Sequence, residues 1–144
     1  MNKQIAKKNG YVHPLDTVSG TEWAEDVDHA DPLIAEPGHL LRLYNSAPTP
    51  EAAAFIAGII DMRLAISIVT GIEFKLPKNA YKRPLDGKDI QDWVDEVDQI
   101  DPIIAPRSDL IYLQEKAPTP EAAAFIAGII DMRQMISFVT ETEF

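Results

Sequence analysis

Cysteine is absent from this 144-residue chain, which excludes disulfides, thiolate metal sites and cysteine nucleophiles. Basic residues are also scarce: 13 lysines and arginines stand against 23 aspartates and glutamates, and the formal net charge is −10. This charge disfavours nucleic acid and anionic membrane surfaces as direct partners and favours a basic surface on another protein. Hydrophobic residues make up 46% of the chain, which is enough to bury a core and indicates a folded protein.

The sequence also lacks a recognisable targeting segment. The first eight residues carry charges but are not followed by the apolar stretch of a secretory leader. The longest uninterrupted apolar run, residues 52–60, is too short to cross a bilayer. We therefore expect a soluble, cytoplasmic protein that does not contact a membrane.

What the chain does contain is an internal duplication. Residues 8–74 align without a gap with residues 78–144, at a constant offset of 70, and 38 of the 67 aligned pairs are identical. The identity is complete between Ala47–Arg63 and Ala117–Arg133, and weaker before these segments. The predicted organisation is a basic lead-in (1–7), a first helical repeat (8–74), a linker (75–77) and a second helical repeat (78–144).

Each repeat is predicted to contain about three helices, so the predicted fold class is all-α. Asp16 and Asp86 are the predicted N-caps of a first helix that runs to about residue 30 or 100. A second, short helix is predicted over 38–46 and 108–116. A strand is the alternative there, because residues 110–113 have no strong helical pattern.

The third helix of each repeat has the strongest signal. Thr49-Pro50-Glu51 and Thr119-Pro120-Glu121 supply an N-cap, a first-turn proline and an acid at the positive end of the helix dipole. Apolar side chains then recur on one face: Phe55, Ile59, Met62, Ile66 and Val69. The other side carries mostly small residues: Ala54, Ala57, Gly58 and Asp61. A neighbouring backbone can approach closely on that side.

A repeat of about 67 residues buries only a modest core, near the lower limit for independent stability. We therefore expect the two repeats to pack on each other about a pseudo-twofold axis that buries part of the third helices. Arg63 and Arg133 fall within the apolar arc of those helices. They are predicted to form structural ion pairs, with Asp28 or Asp31 in the first repeat, and a partner contact is the alternative.

The predicted first helices are strongly amphipathic. In the second repeat Trp93, Val97 and Ile100 share one side of the helical wheel and carboxylates fill the other, and the first repeat follows the same scheme around Trp23. A face of this kind is usually only solvated; the functional alternative is a negative stripe that docks on a basic groove. The candidate partner-binding residues are Glu22, Glu25, Asp26, Asp28, Asp89, Asp92, Asp95, Glu96 and Asp98.

Metal binding and catalysis have little support in the sequence. Asp26 and His29 have the i, i+3 spacing of helical metal ligands, but the second repeat has Gln99 in place of the histidine. The other two histidines, His13 and His39, also have no counterpart, and no phosphate-binding loop, nucleophile elbow or zinc pattern occurs. We therefore predict no cofactor, no metal and no enzymatic activity.

The function predicted from these features is that of a non-catalytic acidic module, an inhibitor or adaptor that occupies a basic surface of a partner protein. A nucleic-acid-binding site is one such surface, because two negative stripes on one body can imitate duplex phosphates. Compact acidic inhibitors are common in phages and mobile elements, so a similar origin is a hypothesis based on size and charge. The alternative is a structural or assembly protein that acts through helix packing or self-association; a carboxylate-based metal protein or enzyme is the least favoured interpretation.

Overall fold

The computed structural model describes residues 13–83, 85 and 90–144. The described chain is all-helical and has no strand within these ranges, which confirms the predicted fold class. In chain order the α-helices are α1 (Glu22–His29), α2 (Pro37–Asn45), α3 (Pro50–Thr70), α4 (Gln91–Asp98), α5 (Arg107–Glu115) and α6 (Pro120–Thr140). The predicted lead-in (1–7), the predicted N-cap Asp86 and the candidate site residue Asp89 lie outside the described residues.

The first helix starts later than predicted. Asp16 is not its N-cap but lies within a short 3₁₀ helix, Pro14–Val18, where the His13 side chain accepts a hydrogen bond from the Leu15 amide. Gly20 then turns the chain with a φ of +88°, in the region that favours glycine. α1 begins after Thr21, whose hydroxyl accepts a hydrogen bond from the Ala24 amide.

The second element of each repeat is a helix, so the strand alternative for residues 110–113 is wrong. The buried side of this second helix packs against the tryptophan of the preceding helix. The indole N–H of Trp23 donates to the carbonyl oxygen of Leu43 at 2.8 Å, and Trp93 donates to Leu113 at the same distance. All four residues are buried, which confirms the predicted core position of both tryptophans.

The long helices begin as predicted and run beyond the core. The Thr49 and Thr119 hydroxyls accept hydrogen bonds from backbone amides three residues later, at 3.0 Å in both repeats. Each helix then continues for 21 residues, about 30 Å at 1.5 Å per residue. On the predicted apolar face of α3 Phe55 is buried, but Val69 is 67% exposed because the last turns of the helix extend past the packed region.

By length and composition alone, α3 and α6 are also apolar enough to cross a membrane. The expectation from the sequence missed this because it considered only uninterrupted apolar runs, and charged residues divide each helix into shorter ones. In the structure 50% of the most apolar window of α3 and 44% of that of α6 are buried inside the protein. Core helices of soluble proteins meet the same criterion, and these two helices supply much of the buried core.

α3 and α6 pack against each other and approach most closely at a pair of glycines. A Cβ atom on Gly58 would lie 2.2 Å from the carbonyl oxygen of Phe125 and 3.1 Å from the Cα of Gly128. A Cβ atom on Gly128 would likewise lie 2.2 Å from the carbonyl oxygen of Phe55 and 3.1 Å from the Cα of Gly58. The prediction that this side of the third helix permits close backbone approach is therefore confirmed.

The arginines shared by the long helices do not form the predicted ion pairs with Asp28 or Asp31. Instead, Nη1 of Arg63 donates to the backbone carbonyls of Pro32 and Ala35, both at 2.8 Å, and the arginine of α6 makes the equivalent two bonds. Burial lowers the pKa of Arg63, and Asp31 opposes this shift through its charge. Carbonyl groups of the turn after α1 are available because no helix continues there to use them.

A phenylalanine at the end of each repeat covers this arginine. The Cζ atom of Arg63 lies 4.4 Å from the centre of the Phe74 ring, and that of Arg133 lies 4.2 Å from the Phe144 ring. Phe74 is only 7% exposed. Phe74 thus closes the core over Arg63 rather than projecting into solvent.

Candidate acidic binding surface

All eight described members of the predicted site are exposed to solvent, on the sides of α1 and α4 that face away from the buried tryptophans. The ninth, Asp89, lies outside the described residues. We call these exposed sides the acidic faces; they consist of Glu22, Glu25, Asp26 and Asp28 on α1 and Asp92, Asp95, Glu96 and Asp98 on α4.

Within the part of the chain that the structure describes, little positive charge neutralises the acidic faces. Among ion pairs between described residues, the single one that involves them joins Asp98 to Arg83 at 3.0 Å. Asp95 accepts a hydrogen bond from the side chain of Gln91 at 2.8 Å, which leaves its charge in place. The acidic faces thus direct most of their charge towards solvent, where a basic surface would meet it.

Part of the α1 face opens onto a groove of about 730 Å³ between the two repeats. Glu25 and Asp28 line one wall, and Gln114, Glu115 and Asp131 of the second repeat line another. Sequence reasoning did not predict this groove, because its walls come from chain segments about one hundred positions apart. On α4, Asp98 borders a separate cavity of about 230 Å³, so the structure does not bring the two acidic faces into one cavity.

Two basic residues reach across the molecule to an aspartate on the long helix of the other repeat. His13 Nε2 lies 2.8 Å from Asp131 Oδ2, and Arg83 Nη1 lies 3.9 Å from Asp61 Oδ2. His13 and Arg83 occupy aligned positions of the two repeats, as do Asp131 and Asp61. In the sequence, His13 has no histidine counterpart in the second repeat. In the structure, both repeats nevertheless place a side chain at this position that can donate a hydrogen bond to an aspartate.

Tyr81 binds the same aspartate as Arg83. Its hydroxyl lies 2.7 Å from Asp61 Oδ1 and 3.1 Å from the carbonyl oxygen of Ala57. Burial raises the pKa of Asp61, and the Tyr81 hydrogen bond and Arg83 partly oppose this. Burial and the adjacent carboxylate together hold the pKa of Tyr81 well above its ordinary value.

This shift predicts a loss of stability at alkaline pH. Above about pH 10 an unfolded tyrosine loses its proton while the folded protein keeps the proton on Tyr81. The folded state then binds more protons than the unfolded state, so the free energy of unfolding falls as pH rises above 10. Urea unfolding between pH 8 and 11 should show this slope, and Tyr81→Phe should reduce it; an equal slope in the variant would contradict the assignment.

Among the described residues, no group of three or more histidine, aspartate or glutamate side chains is arranged to hold a metal ion. Asp26 and His29 have the spacing of metal ligands in the sequence, but the His29 ring contacts the backbone of its own helix. The ring Nδ1 of His29 lies 2.7 Å from the carbonyl oxygen of Glu25 in its own helix.

Comparison with protein-family models, with curated proteins and with solved structures found no match to this chain.

Proposed function

We propose that this protein is a non-catalytic acidic binding module that acts in the cytoplasm, as an inhibitor or adaptor, by occupying a basic surface of a partner protein. The observation that carries the proposal is the solvent exposure of all eight described carboxylates of the acidic faces. Exposed charge of one sign speeds the encounter with an oppositely charged surface and orients the two molecules. A nucleic-acid-binding site of the partner has the required charge.

We further propose that the two repeats are related by a pseudo-twofold axis near the point where α3 and α6 cross. The reciprocal contact of Gly58 and Gly128 supports this arrangement, because each meets the same atoms of the other repeat. The tryptophan hydrogen bonds, repeated 70 positions apart, agree with it. Under this arrangement the acidic faces are two copies of one surface, which favours a partner with a repeated basic site.

Neutralising the acidic faces is expected to abolish partner binding and leave the fold intact. The variant carries Asp→Asn and Glu→Gln changes at all nine predicted positions, Asp89 included. Loss of long-range attraction should act mainly on the association rate, which in the wild type should fall steeply with added salt. The measurement begins with affinity purification from the native host and mass spectrometry, and continues with association kinetics on the partner so identified.

A matched pair of smaller variants separates position from net charge. One neutralises the four acids of the α1 face; the other neutralises four exposed acids elsewhere: Glu36, Glu73, Asp109 and Glu143. Both change the net charge equally, but only the first should slow association by tenfold or more. Equal effects of the two variants, or a wild-type affinity indifferent to salt, would exclude an electrostatic docking face.

A structural or assembly function is the second candidate, and exposed apolar side chains at the ends of the long helices favour it. Ile68 is 83% exposed and its aligned residue Phe138 is 85% exposed. Val69 and Val139 beside them are 67% and 65% exposed. Light scattering of the purified protein separates the candidates: an oligomer that grows with concentration supports assembly, whereas a monomer supports the acidic binding module.

A further inference from the structure

The groove between the two repeats contains a buried polar side chain that has no partner among the described residues. Gln114 lines the groove and is only 8% exposed, and no described residue forms a hydrogen bond with its carboxamide. Buried polar side chains normally have a partner. The carboxamide of Gln114 therefore indicates a polar ligand in the groove.

Asp131 provides a second acceptor on the wall of the groove. Its Oδ2 lies 2.8 Å from His13 Nε2, whereas no described residue donates to its Oδ1. In the other half of the molecule, Oδ1 of the aligned Asp61 lies 2.7 Å from the Tyr81 hydroxyl, and Arg83 lies 3.9 Å from Oδ2. The Asp131 side chain is 43% exposed and that of Asp61 only 22%. Asp131 can therefore accept a further hydrogen bond from a donor in the groove.

The charge of the groove favours a cation as that donor. Among the described residues, the single ion pair formed by the carboxylates of the groove joins Asp131 to His13. Arg107 also lines the groove, but it donates to the carbonyl oxygen of Phe144 and to the side chain of Gln134. A surplus of negative charge in a concave site attracts cations. The five carboxylate residues of the groove are Asp16, Glu25, Asp28, Glu115 and Asp131.

The apolar part of the groove favours a guanidinium over an ammonium group. Ile111 and Ile130 line the groove and remain partly exposed, whereas the aligned Leu41 and Ile60 are 7% and 0% exposed. A guanidinium is planar and more weakly hydrated than an ammonium, and its five N–H donors form a fixed fork. The methylene stem of an arginine also packs well on apolar side chains.

We propose that the groove binds an arginine side chain from the basic surface of the partner protein. The guanidinium donates to Asp131 and to the carboxamide oxygen of Gln114, and the stem packs against Ile111 and Ile130. This inference rests on the proposed function, which supplies the basic partner. The groove volume of about 730 Å³ is within the range of pockets that hold small ligands, so an arginine and its neighbouring residues can enter. Desolvated arginines often contribute strongly to binding energy, so the groove anchors a partner that the acidic faces attract.

A short peptide tests the proposal on the full-length protein in the absence of the partner. The probe is a capped peptide with a single arginine between alanines. Its controls carry citrulline, which is neutral and of similar size and shape, or lysine in place of the arginine. In a nuclear magnetic resonance titration, we expect the arginine peptide to shift the side-chain amide signals of Gln114. The citrulline peptide should bind about tenfold more weakly, because the charge-assisted hydrogen bonds are lost, and the lysine peptide should also bind more weakly.

Two substitutions in the groove, each with a matched control, locate the bound peptide. Gln114→Leu should weaken binding about tenfold, because a hydrogen-bonding group is lost. Gln99→Leu makes the same change at an exposed position outside the groove and should have no effect. Asp131→Asn should also weaken binding, whereas Asp92→Asn on α4 changes the net charge equally and should not. Circular dichroism checks the fold of each variant, and Asp131→Asn keeps the test valid if Gln114→Leu does not fold.

The proposal is overturned if the arginine peptide does not bind, or if the citrulline or lysine peptide binds as tightly. It is also overturned if the folded groove variants bind like their controls, because the peptide would then lie elsewhere. A failure of this kind leaves the proposed function to its own test, in which neutralised acidic faces lose the whole partner. Conversely, peptide binding in the groove together with a partner indifferent to the acidic faces would contradict the proposed function alone.

Discussion

Replacing Gly58 by alanine is expected to destabilise the protein by about 3 kcal/mol, at the upper end of the range for overpacked cores. The added Cβ atom would lie 2.2 Å from the carbonyl oxygen of Phe125, and real Cβ atoms do not approach other atoms within 3.0 Å. The obstacle is backbone, so no side-chain rotation relieves it, and α3 and α6 must move apart. Gly128→Ala should have the same effect, because it meets the Phe55 carbonyl at the same distance.

Gly38→Ala is the matched control for this prediction. Gly38 also lies in a helix, but a Cβ atom there would meet only the flexible end of Arg42 at 3.8 Å. The same substitution should therefore be neutral or stabilise the protein by about 0.5–1 kcal/mol, because alanine favours helix more than glycine does. Urea unfolding of the three variants is the measurement. A wild-type midpoint for Gly58→Ala would show that the helices do not cross as described.

The second large effect is expected at Trp93, where truncation to alanine should cost about 3–5 kcal/mol. The side chain is 5% exposed and holds α4 on α5 through both its ring and its hydrogen bond to Leu113. Domains of this size are typically stable by only about 5–15 kcal/mol, so the variant should lose a large part of its folded stability. Thermal and urea unfolding followed by circular dichroism measure the loss.

Two further variants divide the effect of Trp93 into its parts. Trp93→Phe keeps most of the apolar contact but leaves the Leu113 carbonyl without its donor, which should cost about 1–3 kcal/mol. Tyr112→Ala removes an aromatic ring next to Leu113 that is 49% exposed, and should change stability by about 0.5 kcal/mol or less. Similar losses for Tyr112→Ala and Trp93→Ala would mean that the indole is not a structural anchor.

The parts of the fold that the sequence predicted are those with local causes. The Thr49 and Thr119 caps act on amides three residues away, so the residues that determine the helix start are adjacent in sequence. The prediction that Asp16 is an N-cap was wrong, because Asp16 lies within a short 3₁₀ helix instead. His13 caps a 3₁₀ helix there and Gly20 separates it from α1.

For contacts between segments that are far apart in sequence, the type of interaction was predictable but the partner residues were not. The position of Arg63 indicated that its charge must be satisfied inside the protein, but every residue of the chain has a carbonyl group that can accept its hydrogen bonds. The actual acceptors are 28 and 31 positions away in sequence, and only the packed fold identifies them. His13 and Asp131 are 118 positions apart, and the pairing depends on how the two repeats meet.

In the candidate site too, local features were predictable from the sequence and contacts between distant segments were not. Helical periodicity placed the acids of α1 and α4 opposite the tryptophans, and their exposure agrees with that placement. The groove beside Glu25 could not be predicted in this way, because half of its lining belongs to the second repeat. The chemical role of Asp61 was also missed. Its helical position indicated only a polar residue on the small-residue side, and its partners Tyr81 and Arg83 come from the segment that follows the first repeat.

The glycine contact at the helix crossing bears on how the chain arose. Each long helix presents the same residue to the other, so one repeat contains both sides of the contact. Two separate copies of an ancestral single module could therefore have paired as a homodimer without evolving a new surface. Fusion of two such genes would have kept that interface in place. The remaining residues of the two halves would then have been free to diverge from each other in sequence. Aligned positions 13 and 83, which hold histidine in one half and arginine in the other, are one difference of that kind.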